Sequence, residues 1–100
     1  MNKLDLEVTS KALSDIEAIT DYISKDNKRT ANKLAKYLYN TFEKLTKHPM
    51  LGKTREDLTY LNALFYIVKR HYVIVYRIIN NNTIRILRVL STYQDICSKL

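Results

Sequence analysis

Arg70, Arg77, Arg85 and Arg88 lie along "RHYVIVYRIINNNTIRILRVLSTYQDI", residues 70–96, and no acidic residue appears there before Asp95. A guanidinium is a permanent cation whose planar fork matches carboxylates and phosphates. Arginines set along apolar stretches in this way draw their counter-charges either from elsewhere in the fold or from an anionic partner. Lys69 and His71 flank Arg70, Lys53 and Arg55 stand upstream in "KHPMLGKTREDL", and Tyr93 adds a phenol after the last arginine.

Other chemistries are thinly provided for. His48 and His71 lack the spacing of a metal pair on one helical turn, and Cys97 has no second cysteine, so neither a metal site nor a disulfide is expected. There is no glycine-rich phosphate loop and no serine elbow. The adjacent carboxylates of Glu56 and Asp57 would not face one another. An active site here would work with bases, a tyrosine and electrostatics alone, and no cofactor is expected.

The charge balance sharpens this. The formal net charge is +7 over 100 residues, which points to an anionic partner such as nucleic acid, an acidic protein or a membrane surface. Residues 1–50 carry nine Lys or Arg against seven Asp or Glu, and residues 51–100 carry eight against three, so the excess sits on the second half. The bland alternative is that Arg77, Arg85 and Arg88 lay their stems over apolar surface and keep their heads in water. Of the eight tyrosines, most are expected in the core or at its rim.

These side chains must be positioned by a small fold. The length fits one domain, residues 1–100. No apolar run approaches the roughly 20 residues of a membrane span, and "MNKLDLEV" lacks a signal's apolar stretch, so a cytoplasmic location is expected. "LDLEV", residues 4–8, alternates with period 2 and reads as a half-buried strand with Leu4, Leu6 and Val8 inward. Ala12, Leu13, Ile16, Ile19, Tyr22 and Ile23 then recur at three and four residues, the stripe of an amphipathic helix capped by Thr9 or Ser10. A second stripe runs from Ala31 through Leu34, Leu38 and Phe42 to Leu45 and stops at His48, because the residue before Pro49 disfavours helical geometry. The short "SKDNKR" connection makes the two an antiparallel hairpin.

"ALFYIVKR", "YVIVYRII" and "TIRILRVL" are rich in residues that suit a pleated surface and read as three strands, with turns at Arg70–His71 and at Asn80–Asn82. The expected architecture is α+β: an N-terminal strand, a helical hairpin, then a three-stranded antiparallel meander, giving a four-stranded sheet. Strict alternation along the last strand points Ile84, Ile86, Arg88 and Leu90 one way and Arg85, Leu87 and Val89 the other. Pairing of the last two strands is expected to bring Arg77 and Arg88 together on a basic, partly covered sheet face.

With these elements in order, the chain resembles the RelE/ParE superfamily of bacterial toxins from type II toxin–antitoxin modules. The resemblance is carried by "SKALSDIEAITDYI", "LTKHPMLGK", "HYVIVYRI" and "IRILRVLSTYQDI", which together cover nearly the whole chain. It implies two branches. RelE-like members cleave mRNA on the ribosome without metal, using basic residues and a tyrosine near the C-terminus. ParE-like members inhibit DNA gyrase.

The RelE-like arginines fall, on this resemblance, at Val68 and Thr92, where no charge is present, and the ParE-like histidine-and-arginine segment falls on "LSTYQDI", with Ser91 and Tyr93 in place of its usual residues. Absent cations favour the ParE-like branch, because binding needs a surface and not a proton-transfer geometry. The expectation is a toxin that inhibits DNA gyrase and is neutralised by a cognate antitoxin protein, with Lys53, Arg55, Lys69, Arg70, Arg77, Arg85, Arg88 and Tyr93 meeting target or antitoxin. The alternative is a metal-independent, ribosome-dependent mRNA endoribonuclease using Arg70, His71, Arg77, Arg88 and Tyr93. A further alternative is a non-toxic RNA-binding or plasmid-maintenance module.

Overall fold

The computed structural model describes residues 3–54 and 62–91. Strand β1 (Asp5–Val8) leads into helices α1 (Ser10–Ser24) and α2 (Lys28–Lys47), followed by strands β2 (Leu64–Val68), β3 (Tyr72–Ile79) and β4 (Thr83–Ser91). Each helix begins on a side-chain oxygen that accepts from an amide of the first turn: Thr9 takes Ala12 N–H and Asn27 takes Thr30 N–H. Helix α2 ends at His48, ahead of Pro49, with Lys44 and Lys47 in its last turn complementing the negative helix end.

The sheet order is β1-β4-β3-β2, with β1 parallel to β4 and the other neighbours antiparallel. Both helices cover one face. Ala12, Ile16, Leu34, Leu38, Phe42 and Leu45 pack there against Val68, Ile74, Tyr76, Ile84, Ile86 and Val89. Fully burying a side chain such as Phe42 or Ile86 stabilises the fold by about 1.5–3 kcal/mol each before entropy is counted. Ala63, Phe65, Val73, Val75 and Leu90 form a second buried cluster on the opposite face. The open basic face expected from the sequence is therefore apolar and buried over that patch.

One residue reorders β4. Val75 pairs with Arg88, but its neighbour Tyr76 pairs with Ile86, so Leu87 is an extra residue in a β-bulge. Ile84 and Ile86 face the helices, and after the bulge Val89 does so again, while Leu87 and Leu90 join the second cluster. Strict alternation fails here because the inserted residue shifts every later side chain to the other face. The turn side of the bulge keeps Arg77 opposite Arg85, and beyond the bulge Arg88 stands opposite Val75, so Arg77 and Arg88 are not the expected cross-strand partners but project from the same face two residues apart along β3.

The two hairpin turns share one geometry. His71 N–H closes on Val68 C=O, and Asn82 N–H on Ile79 C=O. The two residues inside each turn have positive φ, 52° and 64° at Lys69 and Arg70, 52° and 59° at Asn80 and Asn81. Asparagine tolerates that conformation, whereas lysine and arginine adopt it only under steric strain. No helix among the described residues is long and apolar enough to cross a membrane.

Candidate functional site

The bulge, the turns and the start of α1 decide where each basic group ends up. Strand β1 stops pairing at Val8 opposite Ile86, so the outer edge of β4 from Leu87 onward needs other partners. Thr9 supplies some: its hydroxyl is shared between Ile86 C=O at 2.8 Å and Leu87 C=O at 3.1 Å. Asp15, one turn further along α1, accepts from Val89 N–H at 3.0 Å. The same carboxylate takes Arg88 Nε at 2.7 Å and Nη2 at 2.9 Å. This two-pronged, charge-assisted contact sits where the side chains keep only 18% and 15% of their exposure. The Asp15 hydrogen bond holds the Arg88 guanidinium above its already high range, against the burial that works the other way.

Arg85 has its counter-charge across the sheet. Glu7 on β1 is its register partner, and the Glu7 carboxylate pairs with Arg85 Nε at the surface. Both β4 arginines are thus answered by acids from the first 15 residues of the chain, far away in sequence. Arg77 differs: its Nε is buried and has no hydrogen-bond partner among the described residues. A pocket of about 190 Å³ opens beside it, lined by Met50, Thr54, Asn62, Ala63, Leu64, Arg77 and Ile78.

The remaining basic candidates are dispersed. Lys69 places its ammonium 4.3 Å from the ring centre of Tyr37 on α2, a cation–π contact on the helical side. Arg70 and His71 lie at the β2–β3 turn, with the His71 ring 6.4 Å from that of Tyr72. A groove of about 480 Å³ runs there between α1 and the strand ends, lined by Ile19, Tyr22, Ile23, His71 and Tyr72 among others. Lys53 exchanges two backbone hydrogen bonds with Phe65 at the outer edge of β2, and its side chain is exposed. Val68 is 3% exposed among the helix-facing core residues, so position 68 presents its side chain to the interior. Arg55, Thr92 and Tyr93 lie outside the described residues.

A tyrosine hydroxyl on β3 fixes the segment that carries Lys53. Tyr76 is fully buried, and its hydroxyl donates to Pro49 C=O at 2.7 Å and accepts from Gly52 N–H at 2.8 Å. A Cβ on Gly52 would lie 2.6 Å from that oxygen, so the only glycine is required by the close approach of the phenol. Burial is the main cause that raises the Tyr76 phenol above its ordinary range, the Gly52 amide opposes it, and Tyr66 adds to it. The signal available in the sequence was the lone glycine in the longest irregular segment.

Comparisons with known proteins fit this arrangement. The chain aligns over 89% of its length, and over 96% of the other chain, with a structure of the chromosomal ParDE toxin–antitoxin system from P. aeruginosa, at 22% identity and a TM-score of 0.72. The RelBE2 toxin–antitoxin complex from Mycobacterium tuberculosis is similar over 90% of this chain and 99% of that one, at 22% identity and a TM-score of 0.59. No curated protein sequence matches. The family model of the ParE toxin of the type II toxin–antitoxin system parDE matches residues 6–96, nearly the whole chain, and the chain belongs to that toxin family.

Proposed function

We propose that this toxin acts by binding DNA gyrase and that an acidic cognate antitoxin neutralises it. The observation that carries the reading is the engagement of both β4 arginines within the fold, Arg88 by Asp15 and Arg85 by Glu7. Phosphoryl-transfer catalysis of the RelE-like kind needs several cations aimed at one developing charge. Arg70 and His71 sit at the turn, while Arg77 lies six residues past His71, about 20 Å of extended strand away. The family match to ParE supports the gyrase branch, and both similar structures come from toxin–antitoxin systems, which supports an antitoxin partner. Val68 adds nothing to this choice, because its side chain lies in the core.

The competing reading, metal-independent mRNA cleavage on the ribosome, has one observation in its favour: Arg77 Nε has no partner among the described residues. Induction in cells tests the proposal. Inducing the chain alone should arrest growth with loss of plasmid supercoiling, and co-expression of the antitoxin should restore both. Arrest with normal supercoiling and shortened mRNA would overturn it, and unharmed growth would favour a module that keeps only the fold.

A further inference from the structure

Glu7, Arg85 and Arg77 stand side by side across β1, β4 and β3. Continuing the β2–β3 register one residue beyond Leu64↔Tyr76 puts Ala63 next in that row. The row reads acid, base, base, alanine. Glu7 answers Arg85, and like charges directly opposite one another across strands are destabilising, so Arg77 stands beside a cation with no acid paired to it among the described residues. Its Nε is buried and has no hydrogen-bond partner among the described residues, a state that buried donors rarely show.

The space where a fourth side chain would complete the alternation is the pocket lined by Arg77 and Ala63. We infer that this pocket is a receptor for one carboxylate, an Asp or Glu side chain on an acidic segment of a partner protein. Its volume of about 190 Å³ is below the roughly 300–1,000 Å³ of small-molecule sites and suits a single side chain. Met50, Ala63, Leu64 and Ile78 supply apolar walls, Asn62 and Thr54 supply polar groups, and Arg77 supplies the one charge among the described lining residues. A nucleic-acid backbone would call for several cations following successive phosphates, which this lining lacks. An acidic side chain flanked by apolar residues matches it, and the net charge of +7 favours such a partner at long range. The inference rests on the antitoxin reading above for the source of the segment.

The test reads the pocket without gyrase or ribosomes, so the pocket and the target can fail separately. The Nε–Hε resonance of Arg77 is identified by its absence in Arg77→Lys and followed while Ac-Leu-Glu-Leu-NH2 is added. A saturable shift, at least tenfold weaker with Ac-Leu-Gln-Leu-NH2 and absent with inorganic phosphate or a short oligouridine, is expected. Equal responses to both peptides, no response, or a response to phosphate or RNA alone would overturn the carboxylate assignment. A second arm supplies the acid within the chain: Ala63→Glu should melt several degrees above Ala63→Gln and abolish the peptide response. Equal melting of the two variants would count against the proposal even if neither tolerates the peptide.

Discussion

Asp15 on α1 and Arg88 on β4, 73 residues apart in sequence, are joined by two hydrogen bonds, and the same carboxylate closes the β4 edge at Val89 N–H. One acid thereby ends a sheet edge, anchors the first helix and removes a guanidinium from the pool that could bind phosphate. On the proposed reading, that last effect counts against phosphoryl-transfer chemistry at Arg88.

Because the pair is mostly shielded from water, replacing the Asp15 carboxylate by an amide removes the counter-charge of Arg88 and leaves one acceptor oxygen for a guanidinium and an edge amide that share two in the native chain. Asp15→Asn should cost about 2–4 kcal/mol in urea unfolding. Glu7→Gln, at the exposed Arg85 pair, should cost less than about 1 kcal/mol. Similar losses for the two variants would mean that the Asp15 contact is no stronger than a surface pair.

Gly52 and Tyr76 should behave as one unit. Tyr76→Phe leaves the Gly52 N–H without its partner, for about 1–3 kcal/mol, and Gly52→Ala drives a methyl into the phenol, for about 1–3 kcal/mol of overpacking. Both break the same contact, so the double variant should lose clearly less than the sum. Additive losses would show that the two residues stabilise the loop independently.

The same phenol predicts a pH dependence. Its pKa is raised in the folded protein by burial, so from about pH 10 upward the unfolded chain ionises first. Stability is intact below that pH and falls as pH rises towards the folded value. Urea midpoints measured between pH 8 and 11 should decline more steeply for the native chain than for Tyr76→Phe, and parallel curves would contradict the assignment.

The β2–β3 turn should be improvable. Arg70 holds φ at 64° in a turn whose counterpart uses asparagines, so Arg70→Gly should gain about 1 kcal/mol. Thermal unfolding should move up by about 4–8 °C. A decrease would mean that the arginine side chain contributes more than its backbone strain costs.

The sequence was most legible where a single period governs a whole element. Leu4, Leu6 and Val8 alternate, Leu34, Leu38, Phe42 and Leu45 recur at helical spacing, and all of them pack on the helix-covered face as that pattern requires. The bulge at Leu87 was hidden because "IRILRVL" stays apolar on either side of an inserted residue, so the pattern does not reveal where the faces exchange. The pairing of Asp15 with Arg88 was hidden by its sequence separation, although Asp15 sits on the border of the α1 stripe, between Ala12 and Ile19, where an acid is poised to meet the sheet. Tyr76 shares a strand face with Tyr72, and the sequence pattern held no sign that its hydroxyl would reach Pro49 and Gly52.

On the proposed function, the toxin binds DNA gyrase and leaves RNA intact. Purified protein should be assayed in parallel for inhibition of supercoiling by DNA gyrase and for cleavage of mRNA on translating ribosomes with metal chelated. Lost supercoiling with intact mRNA is the predicted result. Cut mRNA with normal supercoiling would contradict it and would make Arg70, His71, Arg77, Arg88 and Tyr93 the residues to replace first.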